Sequence, residues 1–342
     1  MELASNSVVA KARAVFGRSI KAEDYAQLVT KETVGDVCAY LKQTPRFENV
    51  LAAVNPQTIH RGQLENLLRR SLYDTFDHFR KFDFTHSVDF FHFILARLEV
   101  EQIILAVESV ACGGSDEFIA SLPSYFIKSA SVDLAALGTA KTMLEAADIL
   151  RNTHYFKAVG DLMVNSAENH TFNIGEFERR INTHYYMRLL KAVDKELKGA
   201  ERKEFRRLVL RSVDMVNVVT LYRYAAIFGA DKADIPLIGF RYRLTDEVIE
   251  RLVHEDSADK IAADLAQVGY TFEGGTPSTI EILTERISLD FIRKALHLSH
   301  SPAVAYFALS ECLSLELSNI KTLIEGIRYK VDGQKILEMM VV

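Results

Sequence analysis

Histidine is the residue type in this chain best suited to acid–base or metal chemistry, and 10 histidines occur in the 342 residues. A zinc protease needs the spacing HExxH, which is absent, and the only close helical pair is His297 with His300. That pair has no carboxylate at ligand spacing. His154 and His184 stand apart, which favours core or interface positions for them. The sequence therefore predicts no metal site and no bound cofactor.

Phosphate-binding and nucleophile motifs are also missing from the sequence. Without GxxxxGK[ST], whose backbone N–H groups cradle nucleotide phosphates, the chain is not an ATP-hydrolysing P-loop protein. No GxSxG element indicates a serine hydrolase. Cys38, Cys112 and Cys312 form no CxxC pair, which predicts three reduced core cysteines instead of a disulfide or zinc framework. These absences favour a protein that is not an enzyme.

Charge and hydropathy limit the partners that the chain can have. The formal net charge of -5 and pI near 6.1 provide no basic surface for nucleic acid. No run reaches the roughly 18 apolar residues that a transmembrane helix needs, and no secretion signal opens the chain. We expect a protein on the cytoplasmic side, either free or peripheral to a membrane complex.

The spacing of apolar residues predicts helices throughout. Only 6 prolines occur, and apolar residues recur every three or four positions over long windows. Two long helices are predicted, from Leu64 to Phe84 and from Arg202 to Phe228. The first buries one stripe, consisting of Leu64, Leu67, Leu68, Leu72, Phe76 and Phe79.

Helix ends carry signals of their own. Thr33 with Asp36, and Ser278 with Glu281, have the spacing of an N-terminal capping box. Gly113, Gly229 and Gly333 follow strongly periodic segments, where a left-handed residue would end a helix.

A threefold internal repeat organises these helices. Residues 25–41 align without a gap on residues 134–150 and on residues 249–265. An aromatic residue follows each segment, and then comes a helix that opens with an acid. A final long helix contains an acid followed three positions later by an amide, so that both project from one helix face. In repeat order, the aromatic residues are Phe47, Phe156 and Phe272, the opening acids are Glu65, Glu178 and Glu281, and the acid–amide pairs are Glu99/Gln102, Asp214/Asn217 and Glu316/Asn319.

The repeat divides the chain near Gly113 and Gly229, which gives domains of residues 1–113, 114–229 and 230–342. Units this long are not short solenoid repeats, so we expect three helical domains related by pseudo-threefold symmetry.

The sequence resembles the C subunits of the bacterial and archaeal V/A-type ATPases, whose eukaryotic relatives are the d subunits. The likeness lies in the opening AKARAVFGRSIKAEDYAQLV, in YLKQT, in the glutamate-led helices, and in EVEQII, DMVNVV and ELSNIK. It implies an all-α funnel of three domains with a central socket. It also implies a non-catalytic rotor subunit whose partners are the coiled-coil subunits of the central stalk and the proteolipid ring of the membrane sector.

Two hypotheses stay open for the repeated polar residues: they line the socket, or they fix packing between helices. The basic run on the predicted Arg202 helix is either a partner surface or a solvated face. Arg241 and Arg243, in GFRYRL, are compatible with partner contact. The candidate partner-interface residues are Glu99, Gln102, Asp214, Asn217, Glu316, Asn319, Glu65, Glu178, Arg202 and Arg206.

Two other function classes compete with the rotor subunit. A cytoplasmic helical scaffold unrelated to ion transport would keep the repeat but would not bind the stalk. A helical metalloenzyme would need aspartate-rich or Glu-x-x-His patterns on facing helices, and none occurs.

Overall fold

The computed structural model describes residues 2–80, 88–113, 130–169, 171–231 and 234–342, and this part of the chain is helical without strands. The prediction of an all-α protein is confirmed. The helices are α1 (Glu2–Phe16), α2 (Ala22–Leu28), α3 (Val34–Leu41), α4 (Glu48–Leu51), α5 (Arg61–Arg80), α6 (Val88–Ala111), α7 (Leu134–Thr139), α8 (Met143–Leu150), α9 (Phe156–Asn169), α10 (Ile174–Glu196), α11 (Gly199–Tyr222), α12 (Asp246–Val253), α13 (Ala258–Gln267), α14 (Ile280–Leu298), α15 (Pro302–Arg328) and α16 (Gly333–Glu338).

Side-chain caps start several of these helices. Thr33 caps α3 as predicted: its hydroxyl accepts from the Asp36 N–H, and the Asp36 carboxylate accepts from the Thr33 N–H at 3.1 Å. The capping box predicted at Ser278 is wrong. Thr279 is the N-cap of α14, and its hydroxyl accepts from the Ile282 N–H. Ser and Thr both cap helices, so the sequence alone did not decide between these two neighbours.

Left-handed residues end the three long helices that carry the acid–amide pairs. Gly113 has φ +67° after α6, and Gly229 has φ +64° after α11, as predicted. A short π-helical turn, Arg223–Ile227, lies between α11 and Gly229. The prediction for Gly333 is wrong, because Gly333 begins α16, and Lys330 with φ 55° ends α15 instead.

The described residues form two compact units. The first comprises Met1–Thr85, Gly199–Ile235 and Arg241–Val342, and the second comprises His86–Lys198 and Pro236–Phe240. The boundaries of the three sequence repeats remain a prediction.

In the first unit the core is built around α15, which packs against α1, α5, α14 and α16. All ten residues from Ser301 to Ser310 are buried, as expected for a helix that neighbours surround on every side. The stripe predicted on α5 faces this core, except that Leu67 is only partly buried. Tyr306 of α15 donates its hydroxyl proton to the Phe76 carbonyl at 3.2 Å, which ties the two helices together.

The second unit packs α6 against α10 and α9 against α8. Val100, Ile103 and Val107 of α6 are fully buried, as are Phe177 and Ile181 of α10. Within the described residues, no helix is both long and apolar enough to cross a membrane.

Candidate functional site: three buried carboxylate clusters

The three acid–amide pairs lie on the long helices α6, α11 and α15. All six side chains are buried, with exposed fractions between 0% and 7%. An ionised carboxylate in such a place must have hydrogen-bond donors around it, because burying an unpaired charge costs far more free energy than folding supplies. We call the surroundings of each acid the Glu99, Asp214 and Glu316 clusters.

In the Glu99 cluster the carboxylate of α6 holds the segment that leads into α7. It accepts from the Ser131 N–H at 2.9 Å and from the Ser131 hydroxyl. Tyr155 is 1% exposed beside it, and burial followed by the Glu99 charge raises the pKa of that phenol. The phenol therefore stays protonated and donates to Glu99.

In the Asp214 cluster the carboxylate of α11 holds the segment that leads into α12. It accepts from the N–H groups of Tyr242 at 2.9 Å, Arg243 at 2.7 Å and Leu244 at 3.3 Å. The Tyr270 hydroxyl donates to the same carboxylate at 2.6 Å. Burial and then the Asp214 charge raise the pKa of Tyr270. Four donors thus surround this buried carboxylate, one at Oδ1 and three at Oδ2.

In the Glu316 cluster the carboxylate of α15 holds the segment that leads into α2. It accepts from the Ile20 N–H at 2.9 Å and forms an ion pair with the Arg46 Nε at 3.1 Å. Burial raises the pKa of the Glu316 carboxyl, and Arg46 opposes that shift. Tyr25 is packed close by, and burial followed by the Glu316 charge raises its pKa.

One feature shared by the clusters was missed in the sequence. Arg46, Tyr155 and Tyr270 occupy the same position when the gapless alignment of the repeat is extended by five residues. Each donates to the buried acid of its cluster. The aromatic residues predicted nearby differ: Phe47 is buried, but Phe156 and Phe272 are partly exposed. The signal was hidden because arginine in one repeat replaces tyrosine in the other two.

The amide residues of the three pairs are buried as well. Asn319 donates to the Val341 carbonyl at 2.6 Å and accepts from the Val341 N–H at 3.0 Å, which fixes the end of the chain against α15. Asn217 is 0% exposed. The Oε1 atom of Gln102 is buried and has no hydrogen-bond partner within the described part of the chain. The burial of all six residues favours the packing hypothesis over a direct role in lining a socket.

The remaining candidate acids lie nearer the surface. Glu65 pairs with Arg61 one turn away on α5 at 2.6 Å. Glu178 is partly exposed on α10, and its backbone carbonyl accepts from Asn182. Glu281 pairs with Arg223 at 3.1 Å. The Glu281 pair is exposed, and exposed pairs stabilise a fold weakly. All three acids are only partly buried, so they are better placed than the buried ones to meet a partner.

Arg202 is exposed and Arg206 partly exposed on the first turns of α11, together with the exposed Lys203 and Arg207. The buried face of the same turns is apolar, with Phe205 fully buried. This arrangement fits both the partner surface and the solvated face that the sequence left open.

The histidines and cysteines show no catalytic arrangement in the described residues. His154 and His184 share a hydrogen bond between ring nitrogens at 3.0 Å, and both residues are partly exposed, so their core or interface role stays a prediction. No group of three His, Cys, Asp or Glu side chains in the described ranges could hold a metal ion. Cys38 and Cys312 are buried thiols, as predicted, but Cys112 is exposed next to the end of α6, so the prediction for it is wrong.

Comparison with known proteins places the chain in a family. The family model described as ATP synthase (C/AC39) subunit matches residues 8–339. The chain belongs to this family. The C subunit of the A-type ATP synthase of Methanosarcina acetivorans is 24% identical over 220 residues, which cover 61% of this chain and 58% of that relative. The match thus spans less than two thirds of the relative's length. The resemblance seen in the sequence is confirmed at the level of the family.

Proposed function

We propose that this protein is the non-catalytic rotor subunit that links the central stalk of a V/A-type ATP synthase to its proteolipid ring. In this role it transmits torque between the ATP-driven or ATP-making head and H+ or Na+ transport in the membrane. It would act as a peripheral protein on the cytoplasmic face. The observation that carries the proposal is the family match over residues 8–339.

The three carboxylate clusters support a mechanical role. A protein that transmits torque must resist deformation, and closely packed interiors pass strain on because they compress little. Each cluster fixes the entry of a helical segment to a long core helix through buried, charge-assisted hydrogen bonds. Such bonds are roughly twice as strong as those between neutral groups, and they also hold the bonded groups in a defined geometry.

The first experiment is isothermal titration of the purified chain with the purified pair of central-stalk subunits. Saturable one-to-one binding supports the rotor role. If the chain binds neither the stalk pair nor the detergent-solubilised proteolipid ring, the rotor role is rejected and the general scaffold becomes the better hypothesis.

A second experiment tests the surface of α11 against the isolated ring. We expect the double change Arg202→Gln with Arg206→Gln to weaken ring binding, because both residues lie on the accessible side of the helix. The matched control is Lys260→Gln with Lys294→Gln, which removes the same charge from two exposed helical ion pairs. Equal binding by both double variants would assign the α11 arginines to a solvated face.

A further inference from the structure

Two arginines lie against aromatic rings beside the Asp214 cluster. The Arg211 guanidinium of α11 sits over Phe291 at 5.3 Å, Tyr270 at 5.8 Å and Tyr242 at 5.9 Å. Arg243 sits over Tyr242 at 5.5 Å and Tyr270 at 5.6 Å. Two guanidinium groups thus share the faces of two tyrosines, which brings like charges close together.

Neither guanidinium has a carboxylate partner among the described residues. Arg243 donates twice through Nη1, to the carbonyls of Val268 and Gly269 at 2.6 Å each, but these acceptors carry no net charge. The Nε of Arg211 is buried and has no hydrogen-bond partner among the residues that the structure describes. Burial, followed by the charge of Arg243, lowers the pKa of Arg211. The two positive charges thus lie together without a direct ion pair to any described residue.

The nearby acid forms no side-chain hydrogen bond with either guanidinium in the described residues. Asp214 lies one turn beyond Arg211 on α11, and its carboxylate is already engaged by backbone N–H groups and by the Tyr270 hydroxyl. Asp246, the first acid after Arg243 in the sequence, pairs with Arg241 at 3.0 Å. An additional anion would therefore meet two guanidiniums with unused donors.

The cluster itself does not need an arginine at this position. The residue three places before the buried acid is Ala96 in the Glu99 cluster and Leu313 in the Glu316 cluster. Both of those clusters hold their carboxylates without a guanidinium at that point of the helix. The arginine is particular to α11, and packing of the repeat does not explain it.

We propose that Arg211 and Arg243 bind a carboxylate side chain from a neighbouring protein of the complex. The guanidinium fork matches a carboxylate in two parallel hydrogen bonds, and the aromatic faces hold the fork in place. Access is open on one side, since Tyr242 is 40% exposed and both arginines are partly exposed. This inference rests on the proposed function, because it requires that the chain works within an assembly.

The direct test uses the isolated chain with labelled arginine and follows the Nε–H signal of Arg211 by NMR. N-acetylglutamate is the probe, and inorganic phosphate is the second arm. We expect a saturable shift with N-acetylglutamate that disappears in Arg243→Gln and survives in the control Lys260→Gln. No shift in the unmodified chain overturns the site. Tighter binding of phosphate would overturn the carboxylate assignment in favour of a phosphate-bearing ligand.

A second test separates this site from the rotor role. Arg211→Gln should weaken binding of the stalk pair or the ring by roughly tenfold or more, and Arg211→Lys should lose most of the same affinity, because lysine lacks the fork. If the unmodified chain binds a partner and both variants bind equally well, the site is rejected while the rotor role stands. If the unmodified chain binds no partner, the rotor role fails, and the N-acetylglutamate titration still decides whether the anion site exists.

Discussion

Replacing Asp214 with alanine tests whether the carboxylate clusters hold the fold together. The change removes the acceptor of three backbone N–H groups and of the Tyr270 hydroxyl. A buried donor left without an acceptor costs about 1–3 kcal/mol. The Leu244 bond at 3.3 Å is long, and the Tyr242 and Arg243 amides are close enough to solvent for water to replace part of the loss. We therefore expect a destabilisation of about 3–5 kcal/mol, below the sum of four full penalties.

Two further variants calibrate that figure. Asp214→Asn keeps one oxygen as an acceptor, and we expect it to cost about 1–2 kcal/mol. Asp290→Ala removes an acid from a surface pair with Lys294 at 2.6 Å, and we expect no more than about 0.5 kcal/mol. Both expectations follow from how many buried donors each change leaves unsatisfied.

Urea unfolding followed by circular dichroism measures the overall loss. The chain contains two compact units, so its unfolding need not be a single two-state transition. Hydrogen exchange of residues 240–246 therefore supplies the local readout, and protection there should fall together with stability in Asp214→Ala. If Asp214→Ala costs no more than Asp290→Ala, and protection of residues 240–246 is unchanged, the clusters do not anchor the helical segments.

Three more changes have defined outcomes. Hydrogen bonds from Arg179 and then Arg180 lower the pKa of Glu176 to about 2. The stability that this carboxylate contributes is therefore present above the unfolded pKa near 4.5 and is lost as pH falls toward 2. In Glu176→Gln the free energy of unfolding should decline less steeply across that pH window, and an unchanged slope contradicts the assignment. Gly35→Ala should lower the melting temperature by several degrees, because its Cβ would lie 2.4 Å from the Pro56 carbonyl oxygen and backbone cannot easily yield; Gly62→Ala, which meets nothing within 4 Å, is the control. Asn319→Ala should release the end of the chain and speed carboxypeptidase digestion, and a digestion rate equal to that of the unmodified chain would show that Asn319 does not hold it.

Local features of the fold could be read from the sequence because they depend on neighbouring residues. The capping box at Thr33 and the left-handed glycines at 113 and 229 are local signals, and the structure confirms all three. The predictions for Ser278 and Gly333 were wrong because nearby residues take those roles: Thr279 caps α14, and Lys330 ends α15. Lys330 gave no warning, since a lysine rarely adopts a positive φ.

The surroundings of the acids could not be predicted, because their donors lie far away in the chain. Ile20 is 296 positions from Glu316, and Ser131 is 32 positions from Glu99. The spacing of three positions placed acid and amide on one helix face. Which residues pack against that face depends on the tertiary structure, which the spacing does not reveal. The sequence did contain one signal, the donors Arg46, Tyr155 and Tyr270 at one position of the repeat alignment. It was hard to see because the first of them is an arginine and the other two are tyrosines.

The π-helical turn Arg223–Ile227 accounts for a difference in spacing among the three long helices. Fourteen positions separate Glu99 from Gly113, and the same number separates Glu316 from Lys330, but fifteen separate Asp214 from Gly229. A wider turn is the way in which a helix absorbs one inserted residue without shifting the registers on either side. The turn therefore accommodates the one extra residue of α11, and deleting Ala226 should give an uninterrupted α-helix with the same fourteen-residue spacing as the other two.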